Sequence, residues 1–167
     1  MRIRLATVFG ALLIGGMAAT AGAQAPSTAS TTMTATVTAM AKLTLSAAAQ
    51  TFPDANPDVV PQVTAVQGPI VITAKARTTG ASQVVLTVLA DDDLRSGLQV
   101  IPASAITWTA TGAGLGGGTL SKLAPVTVGT WTGSGAWSGT QTLAFRNSWT
   151  YSTGTYTCVL VYTLSGP

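Results

Sequence analysis

The sequence predicts an all-β fold, an immunoglobulin-like β-sandwich of about 7–9 antiparallel strands. Three observations lead to this prediction. Apolar and polar residues alternate with a period of two over several segments, which is the pattern of half-buried strands. Turn-forming residues recur every 8–14 residues, and Thr and Val are abundant between them. Helical periodicity is missing after residue 23. A closed barrel is the alternative architecture.

The first 23 residues have the features of a signal peptide. Arg2 and Arg4 form a basic start, an apolar stretch follows, and Ala21-Gly22-Ala23 is a cleavage motif. The prediction is therefore a secreted protein, located in the periplasm, on the outer cell surface or in the medium. No membrane span is expected once the signal peptide is removed. We expect 24–31 to be a flexible N-terminus and 32–167 to form a single β-sandwich domain.

Composition argues against several classes of function. Without the signal peptide, six basic and five acidic residues remain, and this balance offers no basic patch for a nucleic acid. The chain has no His and no Glu, which removes the usual general base, the usual zinc ligands and most paired-carboxylate sites. We therefore expect a non-catalytic protein. Cys158 is the single Cys, and is either a buried apolar residue or a thiol for an intermolecular disulfide.

The opening strand is predicted at 32–46, in the stretch TMTATVTAMAKLTLS. Its odd positions are apolar and its even positions are mostly Thr, so it has one apolar face and one hydroxyl face. Such a strand needs a partner sheet. It pairs either within its own domain or with the exposed sheet edge of a neighbouring copy, and the pattern alone leaves both alternatives open.

The remaining strands are separated by loops rich in Pro, Asp or Gly. A proline-rich loop at 52–61 precedes the second strand, whose even positions from Ile70 to Ala76 are expected to face inward. The third strand is almost entirely apolar and is therefore predicted to be central. The stretch DDDLRSG at 91–97 and the glycine-rich stretches 112–118 and 134–139 are predicted as turns or loops. The predicted strands lie within 68–78, 83–90, 98–102, 105–112, 125–133, 139–146 and 155–164.

Two acidic stretches are candidates for cation binding. Asp54, Asn56 and Asp58 alternate oxygen ligands as calcium loops do, although Val59 stands where such a loop has Gly. The alternative is a turn in which the Asn or Asp side chain bonds to the nearby backbone. The three adjacent carboxylates at 91–93 either bind a cation or stay hydrated, and we favour hydration. Apart from this weak calcium candidate, no cofactor is expected.

Four aromatic residues lie within a short part of the chain. Exposed aromatic rings can stack on sugar rings, as in sandwich-fold carbohydrate-binding modules, whereas buried ones pack the core. Trp108 lies in a predicted strand and is expected to be core. The candidates for glycan binding are Trp131, Trp137, Trp149 and Tyr151.

The last predicted strand begins after Gly154, fourteenth from the C-terminus, and then alternates apolar residues up to Leu164. This pattern is similar to the C-terminal strand of chaperone–usher pilus subunits and of the related spore-coat-U-like secreted proteins. The stretch 32–46 resembles the N-terminal donor strand of the same proteins. The resemblance extends over only the two ends of the chain. Gly166 stands at the next-to-last position, where such subunits usually have Tyr. The part between Ile70 and Gly154 is similar to a group of uncharacterised secreted bacterial proteins.

The resemblance implies an incomplete immunoglobulin-like sandwich that a strand of the next subunit completes. We therefore expect a structural or surface-assembly protein, such as a fimbrial or fibre-type subunit, whose partners are copies of itself or related subunits. The alternative is a carbohydrate-binding or adhesive module that binds surface glycans through exposed Trp or Tyr. The residues expected to matter for assembly are Met33, Ala35, Val37, Leu43, Leu45, Tyr156, Leu160, Tyr162 and Leu164.

Overall fold

A computed structural model describes residues 26–166. The predicted signal peptide lies outside these residues. The chain divides into two units between Ala35 and Thr36. In the first unit, the described residues 26–35 are exposed and have no regular secondary structure. The second unit, which begins at Thr36, contains all the strands of the described chain.

The strands are numbered in chain order. Four of them have only two or three residues, which is why the described chain has more strands than the sequence predicts. The strands are β1 Met40–Leu45, β2 Gln62–Thr64, β3 Ile70–Arg77, β4 Gln83–Ala90, β5 Leu94–Ser96, β6 Gln99–Ile101, β7 Ile106–Thr111, β8 Gly118–Thr119, β9 Val126–Thr132, β10 Gly135–Arg146 and β11 Leu160–Ser165.

The fold is an all-β sandwich. The larger sheet has the strand order β1-β3-β10-β7-β8, and β2 pairs with the far part of β10. The smaller sheet has the order β11-β4-β9, and β5 pairs with β6 in a separate hairpin. The pairings between neighbouring strands are antiparallel. The nearly continuous apolar strand β4 is central in its sheet, as its sequence predicts.

The core lies between the inner faces of the two sheets. In β3, the even positions Ile70, Ile72, Ala74 and Ala76 are buried, as predicted, because alternate side chains of a strand point to opposite faces. In β4, the four buried positions alternate with half-buried ones. Residues of both sheets form one continuous apolar cluster, so the two sheets are held together by burial of apolar surface.

The opening strand is shorter than predicted. Only Met40–Leu45 is a strand, whereas 32–39 has no regular structure. The register explains this difference, because Met40 lies opposite Arg77, the last residue of β3. β3 therefore offers no further backbone partner to the residues before Met40.

The predicted loop at 134–139 is wrong, because Gly135–Arg146 forms one long strand. The glycines there allow close packing instead of turning the chain. A Cβ atom at Gly135 would lie 2.7 Å from Cζ2 of Trp137, and a Cβ at Gly139 would collide with the carbonyl oxygen of Thr111. The turn lies at Gly133 and Ser134, between β9 and β10.

Two further boundaries differ from the prediction. The stretch at 91–97 contains β5, which pairs with β6 as a hairpin. The last strand begins at Leu160, not at residue 155, because Leu160 lies opposite Ala90, the final residue of β4. Before it, Thr157 forms a single bridge with Arg95.

Candidate functional site: an open edge of the sandwich

One side of the sandwich is closed by backbone hydrogen bonds between the two sheets, and the other side is open. On one side, the loop after β7 joins β9, because the amide of Gly116 donates to Val128 and the amide of Thr130 donates to Gly114, each at 2.9 Å. On the other side, β1 and β11 are edge strands that lie next to each other. No backbone hydrogen bond joins these two strands within residues 26–166. We call the pair of edges Met40–Leu45 and Leu160–Ser165 the seam.

The two edges of the seam run in opposite directions. Gly166, which follows β11, lines the same surface depression as Met40 and Ala41, the first residues of β1. β11 therefore ends where β1 begins. A strand added to the seam would be antiparallel to one edge and parallel to the other, and both arrangements satisfy backbone groups.

Apolar side chains at the seam are incompletely covered. They point inward and pack against the buried core, but each remains half-buried, whereas Leu86 in the neighbouring β4 is fully buried. Their exposed neighbours in the sequence alternate with them. The side chains are Leu43, Leu45, Leu160, Tyr162 and Leu164. The larger part of the predicted assembly set therefore lies along this seam.

A polar pair crosses the core beneath the seam. The Tyr162 hydroxyl donates to Oε1 of Gln141 at 2.6 Å, which connects β11 to β10 of the opposite sheet. Gln141 is 0% exposed, and its Nε2 has no hydrogen-bond partner among the described residues. Burial raises the pKa of Tyr162 to about 12. No local sequence signal singles out Gln141, although the alternation of β10 places it on the inward face.

The predicted assembly residues before β1 have a different environment. We call residues 26–39 the N-terminal extension. All its residues are exposed, including Met33 at 92% and Val37 at 72%, and Ala35 likewise. Val37, Thr38 and Ala39 line a shallow depression of about 310 Å³ together with the end of β3 and Ser134.

Tyr156 and Cys158 continue the alternation of β11 beyond the end of β4. The Tyr156 hydroxyl donates to the carbonyl oxygen of Ser152 at 2.8 Å, which closes the corner before the last strand. Cys158 is half-buried and forms no disulfide. Burial, with a smaller contribution from the charge of Asp91, raises the pKa of its thiol. Both residues pack against the apolar core.

The four aromatic candidates do not form one surface. Trp131 is buried, donates from Nε1 to the carbonyl oxygen of Ala113 at 2.8 Å, and stacks on Trp137 with ring centroids 5.1 Å apart. Tyr151 packs on Phe145 near the other end of β10. Trp149 is 68% exposed, and its Nε1 donates to Asp58 at 3.0 Å. The four residues are close in sequence but not in space. Trp131 and Trp137 lie where β9 turns into β10, whereas Trp149 and Tyr151 follow the other end of β10.

Two of the three residues of the calcium candidate already accept hydrogen bonds within the protein. Oδ1 of Asn56 accepts the amide of Asp58 at 3.0 Å, which is the Asx-type turn given above as the alternative. The Asn56 carbonyl oxygen accepts the amides of Val59 and Val60. Asp58 accepts the indole of Trp149, and Asp54 is exposed. Within residues 26–166, no group of three or more His, Cys, Asp or Glu side chains is placed to hold a metal ion.

The acidic triplet at 91–93 forms ion pairs and hydrogen bonds while Asp91 stays exposed and Asp92 partly exposed. Asp92 pairs with Arg95 and, at 3.2 Å, with Lys122, which also pairs with Asp93 at 2.6 Å. These hydrogen bonds to basic groups lower the pKa of Asp92 and of Asp93. Asp91 accepts the amide of Val159 at 2.7 Å. Lys122 is distant in sequence, and no local pattern identified it as the partner.

Comparison with protein-family models, curated proteins and solved structures finds no match to this chain. The described residues contain no helix that is both long and apolar enough to cross a membrane. The candidate site must therefore be interpreted from its own geometry. That geometry is an uncapped pair of sheet edges, with half-buried apolar side chains, and an exposed extension of alternating sequence in the same chain.

Proposed function

We propose that this chain is a secreted, non-catalytic assembly subunit with an immunoglobulin-like sandwich. In this proposal, residues 32–39 of one copy add as a strand to the seam of another copy, and repetition of this contact builds a fibre or a surface layer. The observation that carries the proposal is the open seam, because its apolar side chains are only half-buried in the single chain. An uncovered edge of this kind favours pairing with another chain.

The length of the extension supports this pairing. A strand rises about 3.3 Å per residue, so the six residues of each seam edge span about 20 Å and residues 32–39 span about 26 Å when extended. Met33, Ala35 and Val37 share one face of such a strand, and the Thr residues between them share the other. The apolar face would cover the seam while the hydroxyl face remains in water.

The local sequence favours a second copy over the chain's own seam. Insertion beside its own β1 would require the chain to reverse direction immediately before Met40. Tight hairpins of this kind use Gly, Asn or Asp in their central positions. Residues 32–46 contain no Gly, Pro, Asn or Asp. The extension therefore lacks the residues that an intramolecular hairpin needs. Insertion into another copy requires no such turn.

A pair of charge substitutions in the extension tests the proposal. Val37→Asp places a carboxylate on the face that would enter the seam, and Thr36→Asp places one on the opposite face. Burial of a Val side chain stabilises a contact by about 1.5–3 kcal/mol, and an unpaired buried charge reverses this gain. We expect Val37→Asp to convert the assembled protein into monomers in sedimentation velocity, and Thr36→Asp to assemble as the wild type does.

The result that would contradict the proposal is equal assembly of the two variants. Circular dichroism of both variants provides the control for folding. Because residues 36 and 37 are exposed and precede β1, neither substitution should change the fold of the sandwich.

A further inference from the structure

The exposed indole of Trp149 belongs to a braced surface at one end of the sandwich. Its Nε1 donates to Oδ1 of Asp58 at 3.0 Å, although the two residues are 91 positions apart in the chain. Nδ2 of Asn147 donates to the carbonyl oxygens of Ala55 at 2.8 Å and Val60 at 3.3 Å. The loop that contains Asp58 is thus tied to the corner that contains Trp149. We call Trp149 and Asp58, with this support, the indole platform.

The environment of Trp149 differs from that of the other described aromatic residues. Trp108 and Trp131 are buried and donate their indole N–H groups to backbone carbonyl oxygens. Trp149 instead leaves its ring face in water, and the bond to Asp58 restricts how the ring can turn. Among the aromatic residues from 26 to 166, only Trp149 is exposed. A fixed, exposed ring loses little conformational entropy when a ligand covers it.

We propose that the indole platform binds a neutral polysaccharide of β-linked pyranose rings. The C–H groups on one face of such a ring carry partial positive charge and pack on the negative face of an indole. Oδ2 of Asp58 takes no hydrogen bond from the described residues and can accept one from a sugar hydroxyl. The carboxylates of Asp58 and Asp54 disfavour an anionic polymer at the same place.

The position of the platform makes this inference independent of strand addition. The extension leaves the sandwich beside Ser134, which precedes β10, whereas Trp149 follows the other end of β10. The twelve residues of β10 span about 40 Å. Filling the seam would therefore leave the indole platform uncovered, and a monomer would keep the same binding site as an assembled chain.

Retention of the full chain on insoluble cellulose and insoluble chitin tests the inference. The variants are Trp149→Ala, which removes the ring, and Val59→Ala, which removes an exposed apolar side chain of the same loop. Loss of one stacked ring corresponds to about a tenfold decrease in the ratio of bound to free protein at equilibrium. We expect wild-type retention on at least one of the two polymers, a bound-to-free ratio about tenfold lower for Trp149→Ala, and no change for Val59→Ala.

Three outcomes would overturn the inference. They are absence of retention on both polymers, retention that Trp149→Ala leaves unchanged, and stronger binding to the anionic polymer alginate than to cellulose or chitin. A Trp149→Ala variant that alters self-association but not retention would assign the ring to a protein interface instead. Repetition with Val37→Asp separates the two proposals, because retention should survive the loss of assembly.

Discussion

Removal of the Tyr162 hydroxyl tests how the seam edge β11 is held to the rest of the sandwich. In Tyr162→Phe the ring remains, but Oε1 of Gln141 loses its partner. Nε2 of Gln141 already has none, and the residue is 0% exposed. The variant therefore leaves a fully buried amide without any hydrogen bond among the described residues.

The expected cost follows from this geometry. A buried polar group left without its partner costs about 1–3 kcal/mol, and we take about 2 kcal/mol for this site. For a domain of this size, a loss of 1 kcal/mol lowers the Tm by about 3–4 °C. The expected decrease for Tyr162→Phe is therefore about 7 °C. The Tm is measured by calorimetry in the Val37→Asp background, because assembly would itself raise the Tm.

A double-mutant cycle distinguishes this account from a simple packing effect. Gln141→Met removes both amide groups and keeps a similar side-chain shape. Replacing both partners by apolar groups is nearly neutral, so Tyr162→Phe combined with Gln141→Met should recover most of the lost stability. A Tm change of less than about 1 °C for Tyr162→Phe, or additivity of the two substitutions, would contradict a stabilising role of this hydrogen bond.

Three further predictions concern pH and packing. Because the pKa of Tyr162 is raised to about 12, its contribution to folding stability is complete below pH 10 and is lost as the pH rises towards 12. Urea unfolding at several pH values should show this loss, and the Tyr162→Phe variant should not show it. Because the pKa values of Asp92 and Asp93 are lowered, their contribution to folding stability is present above about pH 4 and is lost at lower pH. Lys122→Ala should reduce this loss of stability in acid, measured in thermal scans at several pH values. An unchanged dependence of Tm on pH would contradict the pairing of Lys122 with these carboxylates. Gly139→Ala should destabilise the domain by about 1–3 kcal/mol in chemical denaturation, because its Cβ would collide with backbone, whereas Gly116→Ala meets open space and should not.

Local periodicity was sufficient to predict the fold class and several faces. The alternation from Ile70 to Ala76 identifies which side chains enter the core, because a strand has only two faces. The continuous apolar run at 83–90 similarly indicates a strand covered on both sides by neighbours. In both cases the information lies within one strand, so the prediction does not require knowledge of the partner.

Strand ends and pairings could not be predicted in the same way. β1 begins at Met40 because β3 ends at Arg77, and that limit is not written in residues 32–46. Gly135 and Gly139 are typical of a turn, but in the structure they make room for Trp137 and for the segment after β7. A glycine that permits close approach and one that reverses the chain have the same sequence signal.

The candidate site required the topology. The alternating residues at the two ends of the chain are evident in the sequence, but the proximity of β1 and β11 depends on the strand order of both sheets. The partition of the aromatic candidates also depends on it, since Trp131 joins the core and Trp149 does not. Sequence alone indicated the chemistry of these residues, and the fold determined which of them lie together.

The most direct test of strand addition compares a chain of residues 24–167 with a chain of residues 38–167. The shorter chain keeps Met40–Leu45, which pairs with β3 in its own sheet. We predict that the longer chain sediments as a polymer. We predict that the shorter chain sediments as a folded monomer, and that its seam binds a peptide of residues 26–39. Identical sedimentation of the two chains, as monomers or as polymers, would contradict the account.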